Sequence, residues 1–203
     1  YRGIHQLAEQ YSFTVAGGDT NTWHGPFAIN VCFTGEPFGE RAVLRSGAKP
    51  GDALLVTGPL GGSLPSGRHL TFEPRLEVSK RLVEACALHA MMDLSDGLAI
   101  DLHRMMEISG TGAVITAEAV PVHTDVPGAW SPQDRLQAAL SDGEDFELLL
   151  AMPAETVASA QQALADVTAA SLTVIGQVTA EAGCRLADAA GNPTELPVIG
   201  WQH

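Results

Sequence analysis

The chain has 203 residues, a hydrophobic share of 45% with only 5% aromatics, and a formal net charge of −13. That length fits one large domain or one and a half small ones, with a core built from Ala, Val, Leu and Ile. The charge excludes nucleic acid and an anionic membrane surface as partners, and an anionic substrate has to arrive with cations.

Residues 1–11 read as the end of a helix, with Ile4, Leu7, Ala8 and Tyr11 on one face. The chain opens at Tyr1-Arg2-Gly3, already inside that helical pattern and without a methionine, so a fragment of a longer chain is expected. Ser12–Ala16 predicts a strand running into a Gly17-Gly18 loop, and Phe27–Thr34 a second strand rich in β-branched and aromatic residues. Pro37, Gly39, Gly47 and Pro50 punctuate a connector over 35–50, which places a boundary between residues 1–38 and 39–203.

Beyond it, Ala53–Thr57 predicts a short buried strand. Gly58–Pro74, rich in Gly, Ser and Pro, predicts a mobile loop. An amphipathic helix is expected over Leu76–Ala90, with Leu76, Leu82, Val83 and Cys86 inward, and then a short strand delivering Asp93. Gly97–Ser109 reads as a helix closed by Gly110, with Ser95 or Asp96 as its N-cap. Ala113–Ala117 is a strand, Pro121–Pro132 irregular and Asp134–Ala139 a short helix. Phe146–Met152 is a core strand, Ala154–Asp166 an Ala-rich helix and Leu172–Val178 a strand. Cys184–Ala187 and Glu195–Val198 read as edge strands. The alternation predicts an α+β (α/β layered) fold with a mixed sheet packed against helices.

Cys32, Cys86 and Cys184 are odd in number and far apart, which predicts buried thiols in a reducing compartment. No 18-residue apolar run occurs, so no membrane span is expected, and a cytoplasmic location is the default. The seven histidines show no H-x-x-x-H or H-x-H spacing, and no Walker lysine pattern is present. Phosphate chemistry then has to rest on metals, Arg and backbone N–H groups. No single nucleophile or general base stands out.

Three acidic, glycine-flanked segments remain: Gly17-Gly18-Asp19-Thr20, Asp93–Leu98 with Asp101 one turn later, and Asp142–Glu147. Each alone reads as an acidic turn. Together they suggest a multi-cation site for a polyphosphate, because carboxylates suit hard cations and glycine admits a ligand close to the backbone. Asp93 and Asp96 are three apart across a turn and can converge on one cation. Glu144 stands at a strand mouth, where it can accept a hydrogen bond from a substrate, and Asp145 and Glu147 share a face.

These segments, with LRSGAKPGD (44–52), VTGPLGG (56–62), VIGQV (174–178) and the closing GWQH (200–203), resemble the thiamine-monophosphate kinase family of aminoimidazole ribonucleotide synthetase-like enzymes. The resemblance implies transfer of the ATP γ-phosphate to thiamine monophosphate with magnesium ions, in a homodimeric parent. It implies that Asp19, Asp93 and Asp96 hold magnesium, and that Tyr1, Gly18, Asp19, Arg45 and Ser95 contact ATP. Glu144 and Trp201 would then face the thiamine end. The family's N-terminal acidic loops have no counterpart in this chain, so residues 1–38 are expected to be the tail of an N-terminal domain and the chain alone inactive. The rival readings are another ATP-using member of the superfamily, such as aminoimidazole ribonucleotide synthetase, and a non-catalytic nucleotide- or metal-binding module.

Overall fold

The computed structural model describes residues 1–39, 41–166 and 171–201. Glu40, at the expected boundary, and Gln202 and His203 of the closing motif lie outside the described residues. The chain divides into two units, Tyr1–Glu36 and Pro37–His203.

In the first unit, helix α1 spans Arg2–Tyr11 and buries only Ala8. Ser12 closes it in the left-handed region (φ 56°), its N–H bonding back to the Ala8 carbonyl. The strands expected over 12–16 and 27–34 are not formed: both stretches carry no ladder. Alternation of apolar residues makes a strand only where a neighbour takes up its hydrogen bonds. Here Phe27, Ile29, Val31 and Phe33 all stay exposed, and Phe33 meets Phe13 edge-on at 5.2 Å.

The second unit is built on a seven-stranded mixed sheet. Its strands are β1 (Asp52–Val56), β2 (Ala90–Asp93), β3 (Gly112–Thr116), β4 (Leu148–Pro153), β5 (Thr173–Thr179), β6 (Gly183–Ala187) and β7 (Pro193–Glu195). They lie in the order β2-β4-β1-β5-β3-β6-β7, antiparallel throughout except for the parallel pair β3–β6. The helices are α2 (Ser63–Ser66), α3 (Leu76–Ala85), α4 (Leu98–Ser109), α5 (Pro132–Ser141) and α6 (Val157–Ala163).

Helices cover both faces of the sheet. From β1, Leu54 and Val56 join the cluster containing Leu98, Leu102, Met105 and Met106 of α4, while Ala53 and Leu55 join Val78 and Leu82 of α3 and Ala160 of α6. This two-sided burial is why β1 reads as an unbroken apolar run. Methionines supplement the expected aliphatic core: Met92, Met105, Met106 and Met152 are all buried.

Several boundaries move. Helix α3 ends at Ala85, not near Ala90, and Leu76 is exposed. Helix α5 extends to Pro132–Ser141, because Ser131 accepts from the Asp134 N–H and Pro132 occupies the first turn. Strand β4 begins at Leu148, not Phe146, whose φ of 52° breaks the extended backbone. The final strand is Pro193–Glu195, earlier than expected. The thiols are not uniformly buried: Cys184 is, Cys86 is half-buried and Cys32 is exposed.

Candidate functional site

Strand β2 ends at Asp93, and the chain turns through Leu94–Gly97 into α4. The N-cap is Gly97, not Ser95 or Asp96. The reason lies one turn inside the helix. Asp101, fully buried, accepts the N–H groups of Ser95 (3.2 Å) and Asp96 (3.0 Å) on Oδ2, and its Oδ1 takes Arg104 at 2.8 Å. A carboxylate from the first turn of the helix thus holds the turn that precedes it, and no side chain caps the helix itself. Burial raises the Asp101 pKa, against the pull of the Asp96 N–H and of Arg104.

Three segments meet at this turn. Leu94 donates its N–H to the Glu147 carbonyl (2.8 Å) and Phe146 donates to Leu94 (2.8 Å). Glu144 donates to the Ser95 carbonyl at 2.7 Å. The tail then crosses both: Trp201 N–H donates to the Asp96 carbonyl at 2.9 Å, and its indole Nε1 to the Asp142 carbonyl at 2.8 Å. Gly143 has φ 68°, and a Cβ there would sit 2.8 Å from both the Ser95 carbonyl oxygen and Trp201 Cδ1. Only glycine admits this contact between turn and tail.

Asp93, Ser95, Asp96, Glu144 and Trp201 therefore occupy one place in the second unit. Arg45 joins them through Asp93, at 3.7 Å, in an ion pair whose side chains are 62% and 47% exposed and which contributes little to stability. Asp96 is paired with Arg104, whose own pKa rises mainly through that bond. Tyr1, Gly18 and Asp19 belong to the first unit. There the Asp19 carboxylate accepts the Thr20 N–H at 2.8 Å, and the Tyr1 hydroxyl lies 3.1 Å from that of Thr20.

Asp145 and Glu147 are not solvated. Both are buried, and each has its own arginine. Arg75 grips Glu147 through two nitrogens, with Nε at 2.8 Å, and the Thr57 hydroxyl donates to the same carboxylate at 2.7 Å. The pairing raises the Arg75 pKa. Asp145 accepts the Gly61 N–H at 3.0 Å and Arg68 at 2.9 Å, yet burial outweighs both and pushes its pKa up to about 6.

Those bonds also order the stretch expected to be a mobile loop. Gly61 and Gly62 donate to Asp145 and Asp142, Ser63 Oγ donates to the Glu144 carbonyl, and residues 63–66 and 68–70 form short helical turns. Arg68, Arg75, Arg104 and the role of Asp101 in holding the turn before the helix were not found from sequence. Arg104 lies three residues from Asp101, a helical spacing that points to the pair. Arg68 and Arg75 are 77 and 72 residues from their partners, and no local pattern reveals them.

Among the described residues, no three His, Cys, Asp or Glu side chains form a group able to hold a metal ion. The donors gathered in the second unit are carboxylates, Asp93 and Asp96. That set fits a hard cation that takes one or two carboxylates and fills its shell with phosphate oxygens and water. Also among the described residues, no helix is long and apolar enough to cross a membrane.

Residues 49–189 match the family described as AIR synthase related protein, C-terminal domain. The chain is 42% identical over 160 residues to a thiamine-monophosphate kinase of Rhodopirellula baltica, covering 78% of this chain and 50% of the relative. It is 36% identical over 214 residues to that of Halobacterium salinarum, covering 99% of this chain and 69% of the relative. Two solved structures share the fold. The thiamine-monophosphate kinase of Stenotrophomonas maltophilia K279a aligns with a TM-score of 0.63 at 25% identity, covering 76% of this chain and 55% of that one. AaThiL complexed with AMPPCP and TMP aligns at 0.60 and 28% identity, covering 81% and 55%. The chain belongs to the thiamine-monophosphate kinase family, and it spans about half the length of the Rhodopirellula relative.

Proposed function

We propose that this chain is the part of an ATP-dependent kinase that phosphorylates thiamine monophosphate directly, giving thiamine diphosphate. The observation that carries the reading is the meeting of the Asp93–Asp96 turn, the Asp142–Glu144 turn and Trp201 through main-chain hydrogen bonds. It puts two candidate cation-binding carboxylates beside a half-exposed indole in a chain of this family.

In this reading Asp93 and Asp96 are magnesium ligands of the second unit, and Asp19 is a magnesium ligand of the first. Bound magnesium supplies neutralisation of the phosphate charge, which a chain of net charge −13 does not provide by itself. Tyr1, Gly18 and Asp19 are the ATP-contact residues of the first unit, and Arg45 and Ser95 are those of the second. Arg45, whose pair with Asp93 is loose and exposed, is available to turn toward a phosphate oxygen. Asp96, paired with Arg104, would be shared with the cation when one is bound. Glu144 and Trp201 take the thiamine end, where a cationic thiazolium ring over an indole face gains about 0.5–2 kcal/mol. Phosphoryl transfer needs positioning and charge stabilisation more than covalent help, which accords with the lack of a catalytic nucleophile or base among these residues. The parent is a cytoplasmic homodimer.

The test is product formation by the full-length parent. Thiamine diphosphate should appear in step with ADP when ATP, magnesium and thiamine monophosphate are supplied. Release of inorganic phosphate without thiamine diphosphate favours another ATP-using chemistry.

A further inference from the structure

Strands β1 and β2 both run antiparallel to β4, so they start at the same edge of the sheet. Asp93 lies at the far end of β2. At the starting edge stand Lys49, Asp52 and His89. The two edges are about 10–13 Å apart at the rise of a four-residue strand, so this cluster is separate from the site above.

The cluster is a chain of hydrogen bonds whose directions follow from an ionised Asp52 and a charged Lys49 on either side of a neutral ring. His89 Nδ1 lies 2.8 and 2.9 Å from the two carboxylate oxygens of Asp52, and Nε2 lies 3.1 Å from Lys49 Nζ. An ionised carboxylate only accepts and an ammonium only donates, so the proton sits on Nδ1 and the Nε2 lone pair faces the lysine. Asp52 is buried, and its Oδ2 also accepts the Lys49 main-chain N–H at 2.8 Å, which ties the carboxylate to the segment carrying the amine. Lys49 itself is exposed. A nucleophile, a base within reach and a carboxylate orienting that base are the three parts of an activated nucleophile.

We propose that Lys49 is an acyl-acceptor amine, activated by His89 and Asp52, that takes the acyl group of a small acyl phosphate. The lysine proton passes to His89 Nε2, and the Nζ lone pair attacks the carbonyl carbon. The carbon–oxygen bond to phosphate then breaks, and phosphate leaves with its electron pair. The nitrogen loses its second proton as the amide forms, so one proton ends on phosphate and one in water. The cluster has a base but no acid aimed at a leaving group. This selects a donor whose leaving group takes its proton from solvent, as phosphate does in departing as hydrogen phosphate.

Lysine occurs only at positions 49 and 80, so the chain carries its own control. Lys80 instead lies over the Phe38 ring, 5.0 Å from its centroid. The folded chain is incubated with acetyl phosphate and acetylation at each lysine is followed by peptide mass spectrometry. Lys49 should react at least about tenfold faster than Lys80, a modest share of what general-base catalysis supplies. In urea the two rates should become equal, and His89→Gln should bring Lys49 down to the Lys80 rate while leaving Lys80 unchanged. Should that variant not fold, the ratio in the unmutated chain with and without urea decides. Equal rates in the folded chain, or a Lys49 rate indifferent to His89→Gln, would overturn the proposal.

Discussion

The indole of Trp201 donates Nε1–H to the main-chain oxygen of Asp142 at 2.8 Å while 49% of the residue stays exposed. A tryptophan that is hydrogen-bonded at its Nε1 edge and half-exposed is suited to a flat cationic partner. Trp201→Ala in the full-length parent should raise the Michaelis constant for thiamine monophosphate about 2- to 30-fold, the range set by a cation–π contact. The constant for ATP should hardly move. If the substitution lowers the melting temperature and leaves both constants alone, the tryptophan only anchors the tail.

Asp93 and Asp101 lie in one turn and should behave oppositely. Asp93→Asn, at a half-exposed position, should cost less than about 0.5 kcal/mol of stability, and Asp96→Asn should also leave the fold intact. Both should reduce turnover to near background at saturating magnesium, because an amide keeps the shape and loses the charge. Asp101→Asn keeps one acceptor oxygen and sets a buried NH2 against either the two N–H groups or Arg104, and should cost about 2–3 kcal/mol in urea unfolding. Near-normal turnover in both Asp93→Asn and Asp96→Asn would reduce the turn to a structural cap.

Asp145 gives the pH dependence a definite sign. Its pKa is about 6 in the folded chain against an ordinary 3.8, so between those values the native state holds a proton that the unfolded state has lost. This contribution to stability is fully present below about pH 4 and is lost as pH rises through about 6, some 3 kcal/mol in all. Urea unfolding of the unmutated chain and of Asp145→Asn, compared from pH 4 to 7, isolates it. The stability difference between them should drift by that amount across the window, and a constant difference would contradict the burial argument.

The Glu147–Arg75 pair should be costly to break and cheap to replace. Arg75→Met leaves a buried carboxylate with only the Thr57 hydroxyl and should cost about 3–5 kcal/mol. Changing Glu147→Met as well removes the stranded charge and should recover most of that loss. A single-variant loss below about 1 kcal/mol would mean that water reaches the carboxylate.

What was legible in the sequence was local. Helix α4 could be read to the residue at its end because Gly110 is a left-handed cap, with φ 68°. Strand β1 showed as an apolar run, and Asp93 was placed correctly at the end of β2. Errors arose where a distant group decided the outcome. The N-cap was misplaced because Asp101 reaches back from inside the helix. The 58–74 stretch is ordered by Asp142, Glu144 and Asp145, some 80 residues later. The 12–16 and 27–34 segments have strand composition and no ladder, because a strand also needs a neighbour. Within the candidate site, the two acidic turns and Trp201 could be read from sequence, whereas Arg68 and Arg75 are joined to their carboxylates only by the fold.

The central claim is direct transfer of a phosphoryl group to thiamine monophosphate, and phosphorus NMR of the reacting full-length parent tests it most directly. The account predicts that the thiamine monophosphate signal is replaced by the paired signals of a diphosphate, in step with formation of ADP and without free phosphate. The 203-residue chain alone should be slower by about a hundredfold or more, since losing about 3 kcal/mol of transition-state stabilisation suffices for that. ADP accompanied by free phosphate, with the thiamine monophosphate signal unchanged, would contradict it.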